Sequence, residues 1–191
     1  MRSIFKLPLA LAALALASQT VSCGDPLSLL PPVFPNRVDT VSVFAVTGTP
    51  ISRPSGYVIS IRSAVRLDFF PVFDFAYHID ESGKRSFLPY DLITGSERTT
   101  GNPGLQPTET PFEAIDVAQQ LGYTVRDTVE ALPGQVYYVR SEIPQGCPFG
   151  TPYYAKLQVL AVDDSARAVR FQILTNINCG YRGLTLGLPT R

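Results

Sequence analysis

Apolar and polar residues alternate through most of this chain. "VDTVSVFAV", residues 38–46, is rich in β-branched side chains and alternates until Gly48 and Pro50 interrupt it, the period of a half-buried strand. From Tyr57 to Phe69 the odd positions read Tyr57, Ile59, Ile61, Ser63, Val65, Leu67 and Phe69, against Ser60, Arg62, Arg66 and Asp68 on the even ones. That run exceeds the usual five or six residues of a strand, and predicts either one bent strand shared by two sheets or two strands in line. Pro71 stops it. "VFDFAYHID", 72–80, then sets Phe73, Phe75, Tyr77 and Ile79 on one face, and "ESGK" turns the chain into "RSFLPYDLI".

The second half begins with "TGSERTTGNPGLQP", 94–107, a polar loop long for a compact domain and therefore either mobile or functional. A helix is expected next: Thr110 stands at an N-cap, Pro111 at the first helical position, Glu113 where it can reach back, and Gly122 at the stop. Phe112, Ile115, Ala118 and Leu121 would share its buried face. "QVYYVRS", 135–141, is a strand, and "YYAKLQVLAV" and "AVRFQILTN", 153–162 and 168–176, flank the turn residues "DDSAR" as a hairpin. The fold class that follows is mainly β: an antiparallel β-sandwich or an open, barrel-like sheet with one short helix.

The front of the chain departs from this pattern. Arg2 and Lys6 precede the apolar run "LPLALAALALAS", which is too short for a transmembrane helix and has the layout of an export signal. Two processing sites follow. Ala15-Leu16-Ala17 suits an ordinary signal peptidase. Thr20-Val21-Ser22-Cys23 resembles the bacterial lipobox, with Thr20 in place of the usual leucine, and would make Cys23 a lipidated N-terminus. The favoured division is therefore a lipoprotein signal peptide over 1–22, a Pro-rich tether over 23–37 and a single β-rich domain over 38–191. The 14 residues "GDPLSLLPPVFPNR" would reach about 43 Å if fully extended. Alternatively they lie across the domain with Leu29, Leu30, Val33 and Phe34 packed.

Charge narrows the partners. Without Arg2 and Lys6, 14 basic residues stand against 16 acidic ones, with no basic cluster of the kind nucleic acid requires. With Cys23 assigned to lipid, Cys147 and Cys179 remain as a pair in an oxidising compartment. If Val162 faces Ala168, residue 151 faces Cys179, which brings Cys147 within disulfide reach at the open end of the hairpin. The absence of a C-x-x-C spacing makes that bridge structural.

Candidate chemistry is sparse. His78, the only histidine, shares a strand face with Asp74, Ala76 and Asp80; the set reads as a metal or haem ligand group or, more economically, as a solvated polar face. No nucleophile–histidine arrangement exists without His78, so an enzyme is not expected. In the doublets Tyr137-Tyr138 and Tyr153-Tyr154 one ring of each pair points away from the other, which makes Tyr137 and Tyr153 candidate ligand contacts.

"FDFAYHI", "PFEAIDVAQQLGYTV", "VYYVRSE" and "YYAKLQVLAVDDSARAVRFQI" together resemble the HmuY-like haem-binding lipoproteins over about residues 55–176. The resemblance implies a lipid-anchored, non-catalytic β protein of the bacterial envelope, at the outer membrane or cell surface, that captures a porphyrin or another flat apolar molecule. A histidine pair is impossible with His78 alone, and the sole methionine is Met1, so haem would need His78 or a tyrosine as its ligand. The competing expectation is an envelope structural or protein-interaction module with no small ligand.

Overall fold

The computed structural model describes residues 29–96 and 101–190. Two five-stranded antiparallel sheets pack face to face as a β-sandwich. One runs β1 (Arg37–Phe44), β10 (Ala168–Asn176), β9 (Tyr154–Asp163), β8 (Val136–Arg140), β6 (Gly104–Thr108). The other runs β3 (Ser63–Val65), β2 (Gly56–Val58), β4 (Phe75–Ile79), β5 (Arg85–Pro89), β7 (Val129–Glu130). Among the described residues one short α-helix, α1 (Tyr90–Thr94), follows β5. No helix of the described residues is long and apolar enough to cross a membrane.

Period two places the core. Val43, Tyr137, Leu157, Phe171 and Ile173 from the first sheet meet Tyr57, Phe75, Tyr77 and Phe87 from the second, all fully buried. Phe87 lies edge-on to Phe75, Tyr137 and Phe171, with ring centroids 5.3, 5.6 and 6.2 Å apart, a favoured geometry for aromatic pairs. The space between the sheets is thus filled by rings.

The β9–β10 hairpin pairs Val169 with Val162 near its turn and, past a bulge at Arg170/Phe171, shifts so that Tyr154 faces Asn176. Beyond the bulge this is the register expected from the sequence. It brings Cys147 and Cys179 together, with Cα atoms 5.3 Å apart and the disulfide formed.

Three expectations need correction. The 57–69 run is neither one bent strand nor two strands in line but the tight hairpin β2–β3, closed by the Arg62 amide donating to the Ile59 carbonyl at 3.1 Å, with Arg62 at φ 54°. Tyr57 pairs with Ala64, so Ala64 turns inward with Tyr57, while Val65 packs with Phe73 and Ala76 in a smaller cluster. The expected helix after Thr110 is only a 3-10 turn, Phe112–Ala114, with no side-chain cap. Phe112, Ile115 and Ala118 are buried as its face predicts, but Leu121 is 78% exposed because no helix continues to carry it inward, and the backbone pairs elsewhere: Ala118 donates to Arg182 O and Leu184 to Asp116 O, at 2.8 and 2.7 Å. The Lys156 ammonium takes the Phe112 and Ile115 carbonyls, both at 2.8 Å, and lies over the Phe112 ring. This segment and Leu184 thereby cover Val136, Tyr138, Tyr154 and Leu174 on the outer face of the first sheet.

The third correction is the polar loop, whose end is the edge strand β6, with Leu105 fully buried. Gly104 is needed there, because a Cβ would stand 2.7 Å from Thr124 O, and an edge strand tolerates Pro107.

The described part of the N-terminal arm lies across the domain by its backbone, without the side-chain packing expected of Leu30, Val33 and Phe34. Cys23 and the expected signal segment, 1–22, lie outside the described residues. From Val33 onward the backbone is docked: Val33 and Phe34 N–H donate to Asn178 Oδ1 at 2.9 and 3.0 Å, and Asn36 exchanges bonds with Gly187. The side chains of Leu30, Val33 and Phe34 nevertheless face solvent.

Candidate functional site

The most unusual polar group in the fold precedes β4. Asp74 lies between Phe73 and Phe75 and is buried. Its Oδ2 accepts the Ile59 amide at 2.6 Å and its Oδ1 the Glu142 amide at 2.8 Å. One carboxylate therefore ties the β2–β3 turn of one sheet to the chain leaving β8 in the other. Burial pushes its pKa up to about 7, against the pull of the two amide bonds and with a smaller push from the Glu142 charge.

Asp74 forms part of a cleft of about 260 Å³. Val58, Val72, Phe73, Ile143 and Pro144 make its apolar walls, and Ser60, Ser141, Glu142 and Gln145 add polar groups. Ser141 Oγ accepts the Tyr153 amide at 2.9 Å and donates to the Glu142 carbonyl, which fixes the cleft's rim. Such a site can hold a small, mostly apolar molecule and orient it through one or two hydrogen bonds.

The sequence-predicted ligand residues do not converge on this cleft or on one another. His78 lines a separate open groove of about 470 Å³ with Thr47, Gly48, Ile79, Asp80, Glu81 and Arg167, and its Nδ1 stands 3.3 Å from Thr47 Oγ1. Asp74, on the same strand face by spacing, is turned to the Ile59 and Glu142 amides instead. Tyr137 is wholly inside the sandwich core, its hydroxyl donating to Glu130 O at 2.6 Å and accepting the Leu132 amide. Tyr153 is half-buried against the same core, and burial raises its pKa. These positions do not fit one porphyrin site: His78 opens onto a charged surface and Tyr137 has no free face. Among the described residues no cluster of three or more His, Cys, Asp or Glu could hold a metal ion.

Asp74 carries a signal in the sequence, an acid inside the aromatic run "FDF", where only a hydrogen-bonded carboxyl is tolerated. Ser141, Glu142 and Ile143 carry none, since only the fold brings the end of β8 to Asp74. A different surface feature is the adjacent pair Phe69 and Phe70, both exposed, lining a shallow groove with Pro54, Ala64, Val65 and Arg66 beside the edge strand β3.

No protein-family model, curated protein or solved structure matches this chain.

Proposed function

We propose that the chain is a lipid-anchored protein of the bacterial envelope that works without catalysis and holds a small ligand in the Asp74 cleft. One observation carries the anchor: Cys147 and Cys179 are joined to each other, which leaves Cys23 with no cysteine partner in the chain and lipid as its covalent partner. The lipobox-like residues before Cys23 and the exposed apolar side chains of the arm support the same reading. It keeps the address suggested by the likeness to HmuY-like proteins and changes the site.

The ligand is a small apolar molecule with a hydrogen-bonding group. The cleft, at about 260 Å³, lies just below the range of drug-sized pockets, about 300–1,000 Å³, and it is the place where apolar walls meet a carboxyl of raised pKa. Two measurements test this. A Cys23→Ser chain should leave the membrane fraction and appear in the soluble one; retention contradicts the anchor. Indole titrated into the full chain should move the amide resonances of Ile59 and Glu142, whereas haem should give no Soret shift. A Soret shift abolished by His78→Ala would overturn the Asp74 assignment and restore the porphyrin.

The exposed Phe69 and Phe70 pair favours a second reading, an envelope protein partner held at the β3 edge. Phe69→Ser would then lower recovery of that partner from crosslinked envelopes without altering indole binding.

A further inference from the structure

The two ends of the sandwich differ in chemistry. β1 begins at Arg37, opposite Thr175, and ends at Phe44, opposite Ala168. The arm, the Cys147–Cys179 bridge and the C-terminal segment therefore gather at one end, and the 163–168 turn lies at the other. Backbone and side-chain bonds knit the first end together. Asn178, next to Cys179, binds Val33 and Phe34; Asn36 pairs with Gly187; Arg62 donates to Pro35 O at 2.9 Å; Leu29 reaches Gly180.

This end carries Leu30, Val33, Phe34, Phe149, Leu186 and Leu188, each between 49% and 71% exposed. Across 29–37, 59–62, 143–152 and 177–190 the charged residues are Arg37, Arg62 and Arg182; the acids beside these segments are the buried Asp74, which accepts the Ile59 amide, the half-buried Glu142, and Asp116, whose carbonyl accepts the Leu184 amide. Asp39, the first acid along β1, is already paired with Arg37 at 3.0 Å. The opposite end holds Asp80, Glu81, Asp163 and Asp164 in its turns together with Lys84, Arg85 and Arg167, so that acids and bases nearly balance there. An exposed apolar group among cations suits anionic headgroups over an acyl boundary.

We infer that the arm end of the sandwich is a membrane-facing surface, seated on anionic phospholipid with its apolar side chains at the headgroup–acyl boundary. The inference rests on the lipid-anchor reading. Chain length argues for this occupant over a protein. Leu29, already against the domain, is six residues beyond Cys23, a span of at most about 20 Å. Docking of the arm has thus shortened the tether from the roughly 43 Å of an extended 14-residue segment, and a lipid on Cys23 would hold this end, not the far turns, beside the bilayer.

The test uses the lipidated full chain recovered from membranes and placed in vesicles of phosphatidylethanolamine and phosphatidylglycerol with brominated acyl chains. An environment-sensitive thiol probe is placed by Leu186→Cys in one sample and by Ser165→Cys, in the far turn, in another. The surface predicts loss of about half or more of the emission at 186 and none at 165, with the loss at 186 relieved by Val33→Asp combined with Leu188→Asp. If Cys23 carries lipid but the two probes respond alike, or if 186 is silent while the chain sediments as a dimer, the membrane face is overturned and the anchor stands. If Cys23 carries no lipid, both fall.

Discussion

The two ends of the sandwich are held by different physics. The arm end is closed by a disulfide, by a buried carboxylate bridging the sheets and by the buried side-chain amides of Asn36, Asn176 and Asn178. The far end is closed by turns in which Asp80 and Asp163 accept neighbouring amides and by the exposed Arg85–Asp164 pair. Charged groups in water exchange protein partners for solvent at little cost, whereas buried polar groups have no such alternative. The end against which the N-terminal arm docks is thus the end that resists opening.

That contrast sets an order of effects. Joint Cys147→Ala and Cys179→Ala replacement opens a 32-residue link and should cost about 3.7 kcal/mol in the chain-entropy account, read as a lowered urea midpoint. Next comes Asp74→Asn, which turns an amide N–H₂ toward one of the two donors now satisfied by Asp74 and should cost about 1–3 kcal/mol at pH 8. Its pH dependence sharpens the point. The unfolded Asp74 carboxyl ionises near 3.8 and the folded one only at about 7, so between those values the folded state alone holds the proton. The Asp74 contribution to stability is greatest below that window and falls as pH rises through it, and the Asn variant should lack this slope. The exposed Asp80, Asp163 and Asp164, held below 3.8 by hydrogen bonds, act oppositely, losing their contribution as pH falls through their lowered values.

Smaller still, Asn178→Ala frees the Val33 and Phe34 amides. It should speed their hydrogen exchange about tenfold while costing the whole domain on the order of 1 kcal/mol. Arg85→Ala at the far end should leave the urea midpoint unchanged within error. A large loss there, or a small one at the disulfide, would erase the contrast between the ends.

Much of this was legible in the chain. Alternation in β1, β4, β9 and β10 reported burial directly, because those strands pack one face on the aromatic core. The register of β9 and β10 was readable past the bulge, since the cysteines had to meet. Legibility ended where tertiary partners replaced local ones. Period two ran through 57–69 although the chain reverses at Ile59–Arg62, because alternation does not mark a turn made without a Gly-Pro signal. Phe112, Ile115 and Ala118 kept helical spacing while Lys156 and the 182–184 segment claimed their backbone. Tyr137 read as an outward ring because doublets divide faces, yet both faces of β8 are covered, one by the core and one by the 112–118 segment. Asp74 was visible as a residue but not as a bridge, since Ile59 and Glu142 lie 15 and 68 positions away.

The covalent state of Cys23 decides the proposed anchor. The most direct measurement is the mass of the N-terminal peptide from the chain recovered by detergent extraction of membranes. A first residue of Cys23 carrying the mass of acyl chains is the predicted result, and an unmodified peptide beginning at Ser18 would contradict it.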